Sequence, residues 1–155
     1  MRLRIKSATV FISILLLCAA ALAQESEKPV KMKDLPAAVR KTAREQSKGA
    51  AIRGLSKEVE DGKTFYEVEL RVGGHSKDVL IDETGAVVEI EEQVSLASIP
   101  QAARAAIEKQ VGGGKIASVE SITRKGAIVA YEAHIKTGNK YREVKVSPDG
   151  QLLPD

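Results

Sequence analysis

An internal repeat constrains this 155-residue chain more than any other feature. Leu35-Pro36 matches Ile99-Pro100. At the same spacing Ala38, Arg40, Gln46, Gly49 and Ile52 match Ala102, Arg104, Gln110, Gly113 and Ile116. Further on, with one residue inserted, Tyr66-Glu67 matches Tyr131-Glu132 and Gly85 matches Gly150. Ordered identities with a single insertion in a turn describe two tandem units, 34–94 and 98–155.

Each unit reads as one helix followed by a meander of strands. Pro36 and Pro100 suit the first helical turn, where a missing N–H costs nothing, and Asp34 and Ser98 stand just ahead as caps. Leu35, Val39 and Ala43 recur at helical spacing, as do Ile99, Ala103, Ala106 and Ile107. Arg40, Lys41, Arg44 and Glu45 fall on the solvated side. Glycines at 49 and 112–114 end the helices. First strands are expected over 52–60 and 116–123, closed by Asp61-Gly62 and Lys125-Gly126. Tyr66, Val68, Leu70 and Val72 then alternate with Glu67, Glu69 and Arg71, and Tyr131, Ala133 and Ile135 alternate with Glu132, His134 and Lys136. Such alternation marks a half-buried antiparallel strand. Val79 and Ile81, matched by Val144 and Val146, form a third inward row. Gly85 and Gly150 turn the chain into short final segments around Val88 and Leu153. The fold class is α+β: two tandem units, each one helix packed on an antiparallel meander of three to four strands.

The amino terminus reads as an export signal. Arg2, Arg4 and Lys6 precede an apolar run over 8–23, and Ala21-Leu22-Ala23 supplies the small residues of a cleavage site. That run is shorter than the roughly 20 residues a membrane span needs. The expected organisation is therefore a signal peptide at 1–23, a linker at 24–33 and the two units. No membrane span is expected after cleavage, and the location is periplasmic or secreted. Cys18 is the only cysteine and falls inside the signal, with Leu17 rather than a small residue before it, against a lipid anchor. The mature chain thus offers no disulfide, thiol nucleophile or thiolate metal site. The formal charge of +3 comes from the same segment, and without it basic and acidic residues balance. Nucleic acid is not an expected partner.

Motifs for chemistry are missing or incomplete. Gly112-Gly113-Gly114-Lys115-Ile116 lacks both the leading glycine and the trailing hydroxyl of a phosphate loop. Asp82-Glu83-Thr84-Gly85 and Ser147-Pro148-Asp149-Gly150 have too few oxygen ligands for an EF-hand. His75 and His134, the only histidines, do not occupy equivalent repeat positions, and both read as surface residues. No metal site and no cofactor is expected. No Ser, His and Asp arrangement suggests a triad. Glu67 and Glu69 share one strand face that nothing encloses, so acid–base catalysis is not expected of them. The chain is expected not to be an enzyme.

Three strings in order carry a family resemblance: Leu35-Pro36-Ala37-Ala38-Val39, Phe65-Tyr66-Glu67-Val68-Glu69-Leu70 and Val79-Leu80-Ile81-Asp82-Glu83-Thr84-Gly85. The second copy reads Ile99-Pro100, Tyr131-Glu132-Ala133-His134-Ile135 and Val144-Lys145-Val146-Ser147-Pro148-Asp149-Gly150. Over nearly all of the mature chain this resembles the PepSY-like family, whose members share the fold of the β-lactamase-inhibitor protein. The resemblance implies export, no enzymatic activity and no catalytic residues. Related PepSY domains occur in propeptides of thermolysin-like metallopeptidases, where inhibition has been proposed. The second copy departs from the pattern where Ala133-His134 replaces Val68-Glu69 and Ser147-Pro148 replaces Asp82-Glu83.

With Tyr66 and Tyr131 inward, the opposite sheet face carries Phe65, Glu67, Glu69, Arg71, Asp78 and Leu80 in the first unit. In the second it carries His134, Lys136, Tyr141, Glu143 and Lys145. Phe65 and Tyr141 stand at polar-side parity, and their repeat equivalents are Ala130 and Ser76. A charged face with aromatic anchors suits protein binding. The expected function is binding, and through it inhibition or modulation of a peptidase or another envelope or secreted protein. The alternative is a small-ligand or divalent-cation carrier using Glu67, Glu69, Asp78, Asp82 and Glu83. A free edge strand leaves the oligomeric state open.

Overall fold

A computed structural model describes residues 27–60 and 62–154. The signal peptide over 1–23 and Asp61 lie outside the described residues. Eight strands form one antiparallel sheet in simple sequence order. They are β1 (Lys28–Pro29), β2 (Ala51–Glu60), β3 (Lys63–Val72), β4 (His75–Asp82), β5 (Val87–Val94), β6 (Lys115–Arg124), β7 (Ala127–Thr137) and β8 (Lys140–Val146). A 3-10 turn (Met32–Asp34) and α1 (Ala37–Gln46) precede β2, and a 3-10 turn (Leu96–Ser98) and α2 (Gln101–Gln110) precede β6.

The two helices cover the same face of the sheet, and the strand register shows why. Val79 on β4 pairs with Ile90 on β5, Ile90 pairs with Thr123 on β6, and Val94 pairs with Val119. One row of inward positions therefore runs unbroken across the β5–β6 junction. Leu35 and, from α1, Val39 and Ala43 pack on Tyr66, Val68, Leu70, Val79 and Ile81. Ile99 and, from α2, Ala103 and Ile107 pack on Val119, Tyr131, Ala133, Ile135, Val144 and Val146. Burying each Val, Leu or Ile side chain contributes about 1.5–3 kcal/mol, the main stabilising term available to a chain without disulfides.

The turn after each third inward row closes against a helix. Gly85 has φ +85°, and a Cβ there would stand 2.9 Å from the Ala38 carbonyl carbon. Gly150 has φ +86°, and its Cβ would stand 2.6 Å from the Ala102 carbonyl oxygen. Thr42 adds a hydrogen bond from its hydroxyl to the Gly85 carbonyl at 2.7 Å. Only glycine satisfies both the left-handed backbone and the close approach.

Several expectations need correction. Pro36 and Pro100 are the N-cap residues rather than first-turn residues, and no side chain caps either helix. Asp34 and Ser98 instead end the 3-10 turns, so the chain reaches each helix already turned. Val72 is exposed rather than inward because β3 runs past the helix toward the 73–74 turn. The segment around Val88 is a full strand, β5, and it joins the halves by pairing with β6. Its counterpart is only a bridge between Val146 and Leu152. The stretch read as a linker carries β1, which pairs Lys28 with Lys57 and Pro29 with Ser56.

Candidate functional site

The face of the sheet away from the helices is built from the other parity of every strand. Ser56, Glu67, Leu80 and Glu89 form one cross-strand row over β2–β5. Gly54, Glu69, Asp78, Glu91, Ile122 and Ala130 form the next, over β2–β7. Gln93, Glu120, Glu132 and Lys145 form a third. His134 lies opposite Glu143, and Lys136 opposite Tyr141. The face is not uniformly wet: Ile122, Ala130 and Glu132 are buried, and Ile122 and Ala130 belong to neither core under the helices.

Carboxylates crowd the half over β2–β5. The Glu67 pKa is pushed up to about 8, first by burial and then by a hydrogen bond with Glu58 and the charges of Glu58, Asp78 and Glu69. Asp78 is pushed up to about 6 by burial and by Glu120 and Glu69. Glu91 is pushed up to about 7 by burial and by Glu132, Glu89 and Glu120, while Lys145 pulls the other way. Like charges that lose water raise one another's pKa. Among the described residues none of Glu58, Glu67, Glu69, Asp78 or Glu91 makes a salt bridge. Arg53 and Arg71 line a shallow dent with Glu69 and Asp78 without reaching ion-pair distance. The Glu69 carboxylate lies against Gly54, where a Cβ would press on it.

The half over β6–β8 is compensated. Lys145 Nζ lies 3.0 Å from Glu132 Oε2, and Arg124 pairs with Glu89 at the boundary. Burial works against the Lys145 charge, but the Glu132 hydrogen bond and charge outweigh it and raise its pKa.

The residues expected at a binding face therefore do share one face, but not one spot. Phe65 is half-buried and sits opposite Asp82 on β4, beside Glu58. Tyr141 is 62% exposed on β8, with Lys136 Nζ 5.3 Å from its ring centre. Five strand spacings separate β3 from β8, roughly 24 Å along a flat sheet, so the two rings do not make one anchor. Leu80 lies inside the acidic half, and Arg71 is exposed at its margin. Of the five acids expected of a cation carrier, Glu67, Glu69 and Asp78 gather, but Asp82 accepts from the Thr84 and Ala86 amides and the Thr84 hydroxyl. It serves its own turn, and Thr84 is the leading cause of its lowered pKa. His134 is not the plain surface histidine expected, because pairing with β6 and β8 brings Glu120 and Glu143 to it. Glu58, Glu89, Glu91, Glu120 and Glu132 join this face without having been expected there, although the alternation in Val87–Val94 carries a signal for Glu89 and Glu91.

No family model and no curated protein matches the chain. Solved structures do match. A Bacteroides eggerthii protein provisionally assigned to the periplasm has TM-score 0.61 at 16% identity, covering 77% of this chain and 86% of its own. A DUF2874 family protein from Bacteroides ovatus has TM-score 0.57 at 18% identity, covering 77% and 85%. A BLIP-like protein from Bacteroides fragilis has TM-score 0.52 at 18% identity, covering 76% and 82%. The fold is BLIP-like. The periplasmic assignment of the first of these proteins agrees with the exported location expected for this one. Among the described residues no helix is long and apolar enough to cross a membrane.

Proposed function

We propose that this is an exported, non-enzymatic binding protein of two tandem PepSY-like units that engages a cationic segment of a periplasmic or secreted protein. The duplication is supported by the recurring order of 3-10 turn, helix and strands and by the matched closures at Gly85 and Gly150. One observation carries the binding reading: Glu58, Glu67, Glu69, Asp78 and Glu91 crowd a helix-free face, and none of them makes a salt bridge among the described residues. Basic side chains from a partner relieve that repulsion as they dock, so the charge selects the partner's sign. Phe65 and Leu80 supply apolar contact within the same half. Such a protein acts by covering its partner, and inhibition or modulation of a peptidase or another envelope protein is the form of activity that fits.

The test is salt-dependent recovery of a basic partner from envelope extract, comparing the native chain with Glu69→Lys, Glu91→Lys and the helix-side control Lys41→Glu. Loss in the two face variants alone supports the reading. Equal recovery by all four proteins refutes it. Phe65→Ala and Tyr141→Ala then separate the halves: the first is expected to weaken capture and the second to leave it intact.

A further inference from the structure

His134 is surrounded by three carboxylates from three adjacent strands. Glu120 comes from β6, Glu132 lies two residues earlier on β7, and Glu143 stands directly opposite on β8. His134 Nε2 is 3.3 Å from Glu120 Oε2 and 3.8 Å from Glu132 Oε1, while Nδ1 is 3.5 Å from Glu143 Oε1. These separations exceed the roughly 2.9 Å typical of an N–H···O bond. Donors that sit about 2.1 Å from one tetrahedral cation lie roughly 3.4 Å apart, and the Glu132 and Glu143 contacts of the ring, on different nitrogens, are of that order.

The carboxylates are also held from behind. The Ser76 hydroxyl donates to Glu120 Oε1 at 3.0 Å, leaving Oε2 toward the imidazole. Lys145 engages Glu132 Oε2 at 3.0 Å, leaving Oε1 on the imidazole side. Glu132 is only 7% exposed, so burial restricts its alternatives. Glu120 backs Nε2 through a 3.3 Å hydrogen bond. A carboxylate in that place fixes the tautomer and orientation of a metal-binding histidine. Donor atoms of Glu132, His134 and Glu143 all lie within 4.8 Å of one another.

We propose that this cluster binds one divalent transition cation of the zinc class. His134, Glu132 and Glu143 are its ligands, and Glu120 is a positioning residue acting through Nε2. The imidazole decides the class, because calcium and magnesium take oxygen sets whereas zinc accepts mixed nitrogen and oxygen donors. His134 keeps about a quarter of its side-chain surface exposed, which leaves a position open to water. The other carboxylate group on this face, Glu27, Glu67 and Glu69, has no nitrogen donor and carries no such selectivity. The site lies in the compensated half and does not depend on partner binding over β2–β5.

The experiment titrates zinc into the full chain by calorimetry while imidazole resonances are followed by NMR. With only two histidines, each ring is assigned by a single substitution. One binding event is expected, with the His134 ring nitrogens shifting, those of His75 unmoved, and calcium producing neither change. His134→Gln is expected to abolish the event, and Glu120→Gln to weaken it about tenfold at unchanged stoichiometry. Glu67→Gln is expected to leave it intact. An absence of heat and ring shifts at several-fold excess zinc would overturn the proposal, and that result needs no variant to fold. Binding that survives His134→Gln, or that moves both rings alike, would overturn it too.

Discussion

Replacing Glu67 by Gln probes the crowding of the acidic half directly. In the folded chain Glu67 titrates at about 8 against an ordinary 4.5, so between those values the folded state holds a proton that the unfolded state has released. Stability therefore falls as pH rises through that window, because the native state binds more protons than the unfolded one. At about 1.4 kcal/mol per pH unit the full displacement would amount to several kcal/mol. Glu67 is only half-buried, so screening by water reduces this to ~1–2 kcal/mol. Gln resembles the protonated acid. Glu67→Gln should be close to neutral at pH 5 and more stable than the native chain by that amount at pH 8.5. Asp82 has the opposite sign: its pKa is lowered, so it loses stability only in acid, below the window. The assay is urea unfolding of both proteins across the window, followed by far-UV circular dichroism. The native chain should lose stability above pH 5 and the variant should lose less. A native chain whose stability is flat or rising from pH 5 to 8.5, or a variant less stable than it at pH 8.5, would refute the reasoning.

Other expectations concern the scaffold. Gly85→Ala and Gly150→Ala each force a side chain into helix backbone at positive φ and should each cost about 2–4 kcal/mol in denaturant unfolding. If only one of them destabilises, the two closures are not equivalent. Ile107→Ala empties a fully buried position in the core under α2 and should cost about 2–5 kcal/mol by the same measurement. Lys125, with φ +51° in the β6–β7 turn, is the only non-glycine at positive φ among the described residues. Lys125→Gly should raise the melting temperature slightly, as about 1 kcal/mol of backbone strain is relieved; a fall would show that the lysine side chain contributes there.

Local patterns made the inward rows legible. Tyr66, Val68 and Leu70, and Tyr131, Ala133 and Ile135, alternate cleanly, and all six are buried. The helix stripe at Val39 and Ala43 was legible for the same reason. What the alternation could not tell was which strands would be neighbours. β5 looked like a short tail, because nothing local marks it as the strand that pairs Glu91 with both Asp78 and Ile122. The acidic half is a product of those pairings: Glu67, Asp78 and Glu91 lie on separate strands, and each looks like an ordinary solvated residue alone. His134 was misread on the same ground, since two of its three carboxylates arrive from β6 and β8. The cap positions failed for a different reason: a 3-10 turn ahead of each proline took Asp34 and Ser98 out of reach.

Side-chain carboxyl NMR titration of the native chain tests the unbalanced charge on the open face most directly. Midpoints near 8 for Glu67, 6 for Asp78 and 7 for Glu91 are expected. If all three titrate with the exposed acids near 4, the crowding on which the binding reading rests does not exist.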